Sequence, residues 1–311
     1  MVRTNTVNGP GASDSGVIRI KGTNKGLAVK TDCNGRYVYL NPRRGGQIAV
    51  AEAARNVVCS GAKPMAITNC LNFGNPYKPE VYWTFKEALA GIGEACRTFN
   101  TPVTGGNVSF YNENPDNAVF PTPVIGMLGL IEDMDNHVMT PGFKEEGDAI
   151  FYIGAERKGL GASEYLRVQH DKTTGDTPAI DLDFEYKLQQ ALLVAIQENK
   201  VNAAHDISDG GLAVTLAEMA IFSALGASLD VTPLGTNIHD VIYSEAQSGV
   251  VVTCPEGSED IIHSYFDGAD IPCYKLGRVG GNELIISDQI SLKLSEISHR
   301  YDSVIPKSMK Q

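Results

Sequence analysis

The chain has no apolar run approaching the ~20 residues that a membrane-spanning helix needs, and its start, MVRTNTVNGPGASDSG, lacks the hydrophobic core of a signal peptide. Export and membrane insertion are therefore not expected. The six cysteines (Cys33, Cys59, Cys70, Cys96, Cys254, Cys273) contain no Cys-x-x-Cys pair. That argues against zinc ribbons and redox motifs and favours reduced thiols in a cytoplasmic protein. Positive charge is also scarce: 26 Lys and Arg face 37 Asp and Glu, a net charge of −11. A cationic footprint for nucleic acid is thus missing, although backbone N–H groups and Mg²⁺ can still hold a nucleotide.

The 311 residues are 42% hydrophobic and 20% charged, an ordinary globular composition that excludes disorder and disulfide scaffolds. Residues 1–16 are too poor in apolar side chains to order themselves and read as a linker. Strand-like runs follow at 16–20 and 27–31, a helix at 47–59, a helix at 82–97 with Phe85, Leu89, Ile92 and Ala95 at helical spacing, and a strongly apolar strand in PTPVIGMLGLIED. The polar, Pro- and Gly-containing stretch 134–147 marks a boundary before AIFYIG. Mixed strands and helices on each side indicate an α/β plus α+β chain with domains at 17–135 and 145–305.

Four stretches are rich in groups that can do chemistry. In TPVTGGNVSFYNE (101–113), Gly105 and Gly106 let backbone N–H groups approach an anion, with Asn107 and Ser109 beside them; a tight turn is the alternative. The stretch matches neither a Walker loop nor a dinucleotide fingerprint. Lys30, Asp32 and Asn34 alternate, so on an extended strand they share one face; a solvated strand end with Arg43 and Arg44 in a turn is the plainer reading. In HDISDGGLAV, Asp206 and Asp209 precede a helix, as N-caps or as ligands. ITNCLNFGNP places Asn69, Asn72 and Asn75 three apart among turn residues, and reads more readily as a turn than as a ligand set. His137, His170, His239, His263 and His299 need no ligand, and no Ser-His-Asp or Cys-His set emerges from the spacing.

Taken in order, RIKGT, TDCNGRYVYLNPRRGGQIAVAEAARNVVCSGAKP, TNCLNFGNP, TPVTGGNVSFYNE, PTPVIGMLGLIED and AHDISDGGLAVTLAE closely resemble the carboxyl-terminal half of the phosphoribosylformylglycinamidine synthases, over essentially the whole chain. The resemblance implies the fold of aminoimidazole ribonucleotide synthase. An amino-terminal α/β domain builds a barrel with a partner copy's sheet, and a carboxyl-terminal α+β domain follows. It also implies an ATP-dependent carbon–nitrogen ligase of purine biosynthesis. ATP activates the formamide oxygen of formylglycinamide ribonucleotide, and glutamine-derived ammonia displaces phosphate, with Mg²⁺ as cofactor. The partners implied are the enzyme's amino-terminal half, a glutaminase subunit and a small accessory subunit.

By resemblance, Asn69 and Gly106 contact ATP, Asn107 binds metal and Ser109 contacts substrate. Asn69 departs from the family's Asp and loses a charge. The family's other cleft would involve Lys30, Asp32, Asn34, Arg55 and Asn56, with Asp206 and Asp209 near it. Asn34 stands where the family has a proton-accepting His, and Asn56 where it has a metal-binding Asp, so this cleft is degenerate and the chain carries no general base. The chain is then expected to be inactive alone and to homodimerise or aggregate. A nucleotide-binding structural module and a stand-alone aminoimidazole ribonucleotide synthase-like enzyme are the competing readings.

Overall fold

The computed structural model describes residues 13–309. The first sheet contains β1 (Gly16–Arg19), β2 (Gly26–Asp32), β3 (Lys63–Asn72), β4 (Val103–Ser109) and β5 (Thr122–Ile131), in the order β1-β2-β5-β3-β4. Only β3 and β4 run parallel. The crossover between them is α3 (Pro79–Phe99), and α1 (Gly35–Leu40) and α2 (Pro42–Cys59) fill the connection from β2 to β3. Pro42 is pre-organised for a first helical turn, and the Asn41 side chain caps it by accepting from the Arg44 N–H. Arg43 and Arg44 consequently begin a helix instead of forming a turn.

No helix or strand occurs between Ile131 and Ala149. Beyond that stretch a seven-stranded sheet has the order β12-β11-β8-β10-β6-β9-β7. Its strands are β6 (Ala149–Gly154), β7 (Ala203–Asp206), β8 (Ala227–Leu229), β9 (Gly249–Cys254), β10 (Cys273–Val279), β11 (Glu283–Ile286) and β12 (Ile290–Lys293). The helices are α4 (Glu164–His170), α5 (Leu182–Gln197), α6 (Gly211–Ser223), α7 (Ile238–Tyr243), α8 (Glu259–Gly268) and α9 (Leu294–Ser308).

The two sheets are covered differently. Strands β6 and β9 are buried along their whole length. Ile150, Tyr152 and Val251 pack on one side with Leu212, Leu216 and Met219 of α6, while Phe151, Ile153 and Val252 pack on the other with Leu188, Leu192 and Phe266. In the first sheet, α2 and α3 cover a single face, where Ala28, Ile67, Ile125 and Met127 lie. The opposite face leaves Val29, Met65 and Leu128 exposed, and β4 is exposed along nearly all of its length. A sheet with one face and one edge bare is unfinished as a soluble unit.

Residues 1–12 of the expected linker lie outside the described residues, and the remainder is not solvated. Asp14 and Ser15 are buried, and Gly16 opens β1. The Asp14 carboxylate meets the His205 ring at 2.6 Å, and the Ser15 hydroxyl donates to Ser60 at 2.7 Å. Polar pairing orders this segment where apolar area is lacking. The asparagine-rich stretch 67–72 is likewise central strand instead of turn, with β5 and β4 on its two sides.

All six cysteines are free. Burial pushes the thiols of Cys33, Cys59 and Cys96 up, Cys254 to about 11 and Cys273 to about 12. Because the thiolate is the nucleophile, these five should resist iodoacetamide at pH 7.5 in the native chain and react in urea. Peptide mass mapping that finds Cys59 or Cys254 alkylated as fast as in urea would contradict this.

Candidate functional site

The register of the first sheet aligns Asp32 with Ile125, Ile125 with Asn69, and Asn69 with Gly106. These four residues form one row across β2, β5, β3 and β4. At ~4.8 Å per strand, Asp32 and Asn69 stand roughly 10 Å apart on one face. The two groups of residues that the sequence separates into different clefts therefore lie on the same, helix-covered face of the sheet, with the buried Ile125 between them. Gly106 has φ +151°, and a Cβ there would fall 2.1 Å from Asn69 Oδ1 and 2.6 Å from the Asn69 carbonyl oxygen. A Cβ on Gly105 would meet nothing within 4 Å, so the strand is open to solvent beside this contact. Asn107 is exposed, and Ser109, at the strand's end, exchanges hydrogen bonds with Asn112.

Behind β2 the chain collects charge. Asn56 donates to Asp206 Oδ2 at 3.1 Å. Arg55, fully buried, donates from Nη1 to Glu185 at 2.9 Å and from Nη2 to Gln247 at 3.0 Å, with Glu52 at 3.7 Å and Asp206 at 3.6 Å. Burial, with Asp206 nearby, raises the Asp32 carboxyl to about 7 against the pull of Lys30. Burial and the charges of Asp32 and Asp206 drive Glu52 well above the carboxylate range, and burial with Asp14 raises Asp206. Burial opposes the charge on Lys30, yet Asp206, Asp32, Asp14 and Glu52 hold it above its usual value. Carboxyls held this high by burial, and then by one another, favour an added cation.

The structure thus brings Lys30, Asp32, Arg55, Asn56 and Asp206 together. Two details of the sequence reading change. Asn34 is not on the strand: β2 ends at Asp32, and Asn34 caps α1 while its Nδ2 donates to Asp209 at 3.0 Å. Neither Asp206 nor Asp209 caps α6, since Gly210 occupies that position without a side-chain bond. The approach of Gly211 to the Ile242 and Ser244 carbonyls, where a Cβ would lie 2.7 Å from each, explains the glycine pair.

Sequence reasoning missed Glu52, Glu185, Gln247 and Glu245. Glu245 accepts from the Tyr37 hydroxyl at 2.5 Å and from the N–H groups of Glu164 and Gly210. A signal existed for Glu52: with Arg55 and Asn56 it occupies one face of a stretch, residues 48–59, that is otherwise small and apolar.

The family models for AIR synthase related protein match this chain at residues 12–131 (N-terminal domain) and 145–288 (C-terminal domain). The chain is 50% identical over 98% of its length to phosphoribosylformylglycinamidine synthase subunit PurL of Salinibacter ruber, and 48% identical over 99% to that of Chlorobaculum tepidum. It spans 42% of each relative, about two fifths of their length. In fold it matches Thermotoga maritima PurL complexed with FGAR at a TM-score of 0.79, with 17% identity, over 94% of this chain and 49% of that one. The chain therefore belongs to the AIR synthase related proteins.

Proposed function

We propose that this chain is one half of an ATP-dependent ligase that makes formylglycinamidine ribonucleotide, ADP and phosphate from formylglycinamide ribonucleotide, ATP and glutamine-derived ammonia. In this reading residues 17–135 and 145–305 are its two domains, and the sheet of the first closes a barrel with the amino-terminal half of the enzyme. A glutaminase and a small accessory subunit complete a cytoplasmic assembly. The observation that carries the reading is the bare β4 strand, which presents Gly106, Asn107 and Ser109 beside Asn69 with one sheet face and edge uncovered. Solved complexes of T. maritima PurL with ATP, and a PurLQS structure from that organism, are consistent with it.

The residues divide the work. Asn69 and Gly106 position the nucleotide, the Gly106 contact leaving no side chain between backbone and phosphate. The Ser109 hydroxyl contacts the ribonucleotide. Mg²⁺ suits the Asn107 carboxamide, a hard oxygen donor exposed on an open strand, with nucleotide phosphates and the other half supplying the remaining ligands. When bound, the ion neutralises phosphate charge as in phosphoryl transfer generally. No residue here serves as general base: Asn34 cannot accept a proton and is engaged with Asp209 and the Arg36 N–H. Lys30, Asp32, Asn34, Arg55, Asn56, Asp206 and Asp209 form the degenerate cleft and carry no chemistry.

Reconstitution tests this. The chain alone should not turn over, whereas with the amino-terminal half added in trans and ammonia as nitrogen source it should release ADP and amidine. Gly106→Ala should then lower kcat/KM by about 10²-fold or more, since the new Cβ must displace Asn69 or the strand. A folded complex without activity, or turnover by the chain alone, would overturn the reading.

A further inference from the structure

Asp14, His205 and Asp206 come from two distant parts of the chain, the segment before β1 and the end of β7, yet ligand atoms of all three lie within 4.8 Å of one another. All three are buried, Asp14 to 6% exposure. Asp14 Oδ2 is buried with no hydrogen-bond partner among the described residues, a costly state for a carboxylate oxygen. The bonds of Asp206 to Asn56 and Arg55 both use Oδ2. On the far side of the ring, His205 Nε2 lies 3.1 Å from Glu218 Oε2. A metal-bound imidazole is held in this way, its other nitrogen donating to a carboxylate that fixes tautomer and orientation.

We propose that Asp14, His205 Nδ1 and Asp206 bind a first-row transition divalent cation of the Mn²⁺ or Zn²⁺ class, with Glu218 as the group that orients His205. The proposal is independent of the synthase reading and needs no nucleotide. One imidazole with two carboxylates favours such an ion over Mg²⁺, which prefers oxygen donors alone. Both ring nitrogens face carboxylate oxygens, Nδ1 that of Asp14 and Nε2 that of Glu218. Coordination through Nδ1 requires that nitrogen without its proton, which is lost to solvent as the metal binds.

The test uses the intact chain without nucleotide, in 10-fold or greater excess of Mg²⁺. Equilibrium dialysis should give one Mn²⁺ per chain, and pulsed electron paramagnetic resonance should detect coupling to an imidazole nitrogen. Asp14→Asn and His205→Gln should each weaken binding by about 10²-fold, and Glu218→Gln by about 10-fold. A folded His205→Gln chain that binds as tightly as wild type overturns the site. If that variant fails to fold, the wild-type spectrum decides: Mn²⁺ bound without nitrogen coupling, or not bound at all, refutes the proposal.

Discussion

Replacing Arg55 by methionine is expected to destabilise the chain by about 3–5 kcal/mol, the cost of breaking a buried ion pair from one side. The guanidinium has no exposure and lies among Glu185, Glu52 and Asp206. Burial alone would weaken its charge, but Glu185, Asp206 and Glu52 hold its pKa above even the usual arginine value. Methionine matches much of its volume, so the loss measures electrostatics and hydrogen bonding more than a cavity. Glu185 is itself fully buried, and one of its oxygens accepts from Gln189, which also donates to the Ala51 carbonyl. Removing Arg55 strands this carboxylate in low dielectric between α2 and α5. Adding Glu185→Gln to the methionine variant should recover part of the loss, because a neutral amide costs less to bury. Lysine at position 55 should fall between wild type and methionine, since it keeps the charge but loses the fork that spans Glu185 and Gln247. Urea titrations at pH 7 give the comparison, and a methionine variant within 1 kcal/mol of wild type would refute the assigned role.

Arg55 also illustrates what the sequence made legible. The long helices and most strands follow from periodicity and turn residues, local properties of the chain, whereas the strand that carries Asn69 and its row with Gly106 arise from pairing with β5 and β4. The partners of Arg55 do not: Glu185 lies 130 positions away and Gln247 lies 192. Nothing in a window around LDFEYKLQQ distinguishes a glutamate that enters the core from one that faces water. The same holds for Asp14. Its surroundings are polar and small, which reads as solvated chain, and only the approach of His205, 191 residues on, makes it interior. The glycine pair 210–211 was ambiguous for a related reason: a capping Asp is a local explanation, whereas the carbonyls of Ile242 and Ser244 that require glycine arrive from a later helix and its cap. Local chemistry thus fixed most of the elements, and long-range pairing fixed β3, its row with β4 and the charged interior.

The bare side of the first sheet predicts how the isolated chain behaves. At tens of micromolar it should sediment as a dimer or larger species, because the exposed face carries Val29, Met65 and Leu128 and the exposed edge strand carries Val103 and Val108. Nothing in β4 resists pairing: it has no lysine, no proline and no charged residue, the usual protections of an open edge. Placing lysines at Val103 and Val108 supplies that protection. The double variant should raise the dimer dissociation constant by at least about 10²-fold, equivalent to ~2.7 kcal/mol, through repulsion between like charges brought together and loss of apolar contact. Its unfolding free energy measured as monomer should stay within about 0.5 kcal/mol per site, since both valines are already about half exposed. The paired readouts separate association from stability. On the proposed ligase reading, in which an amino-terminal half covers this edge, the same lysines should also abolish reconstitution in trans while leaving the monomer folded. A wild-type chain that remains monomeric at 100 µM, or a lysine variant that dimerises as wild type does, would mean that this edge is not an interface.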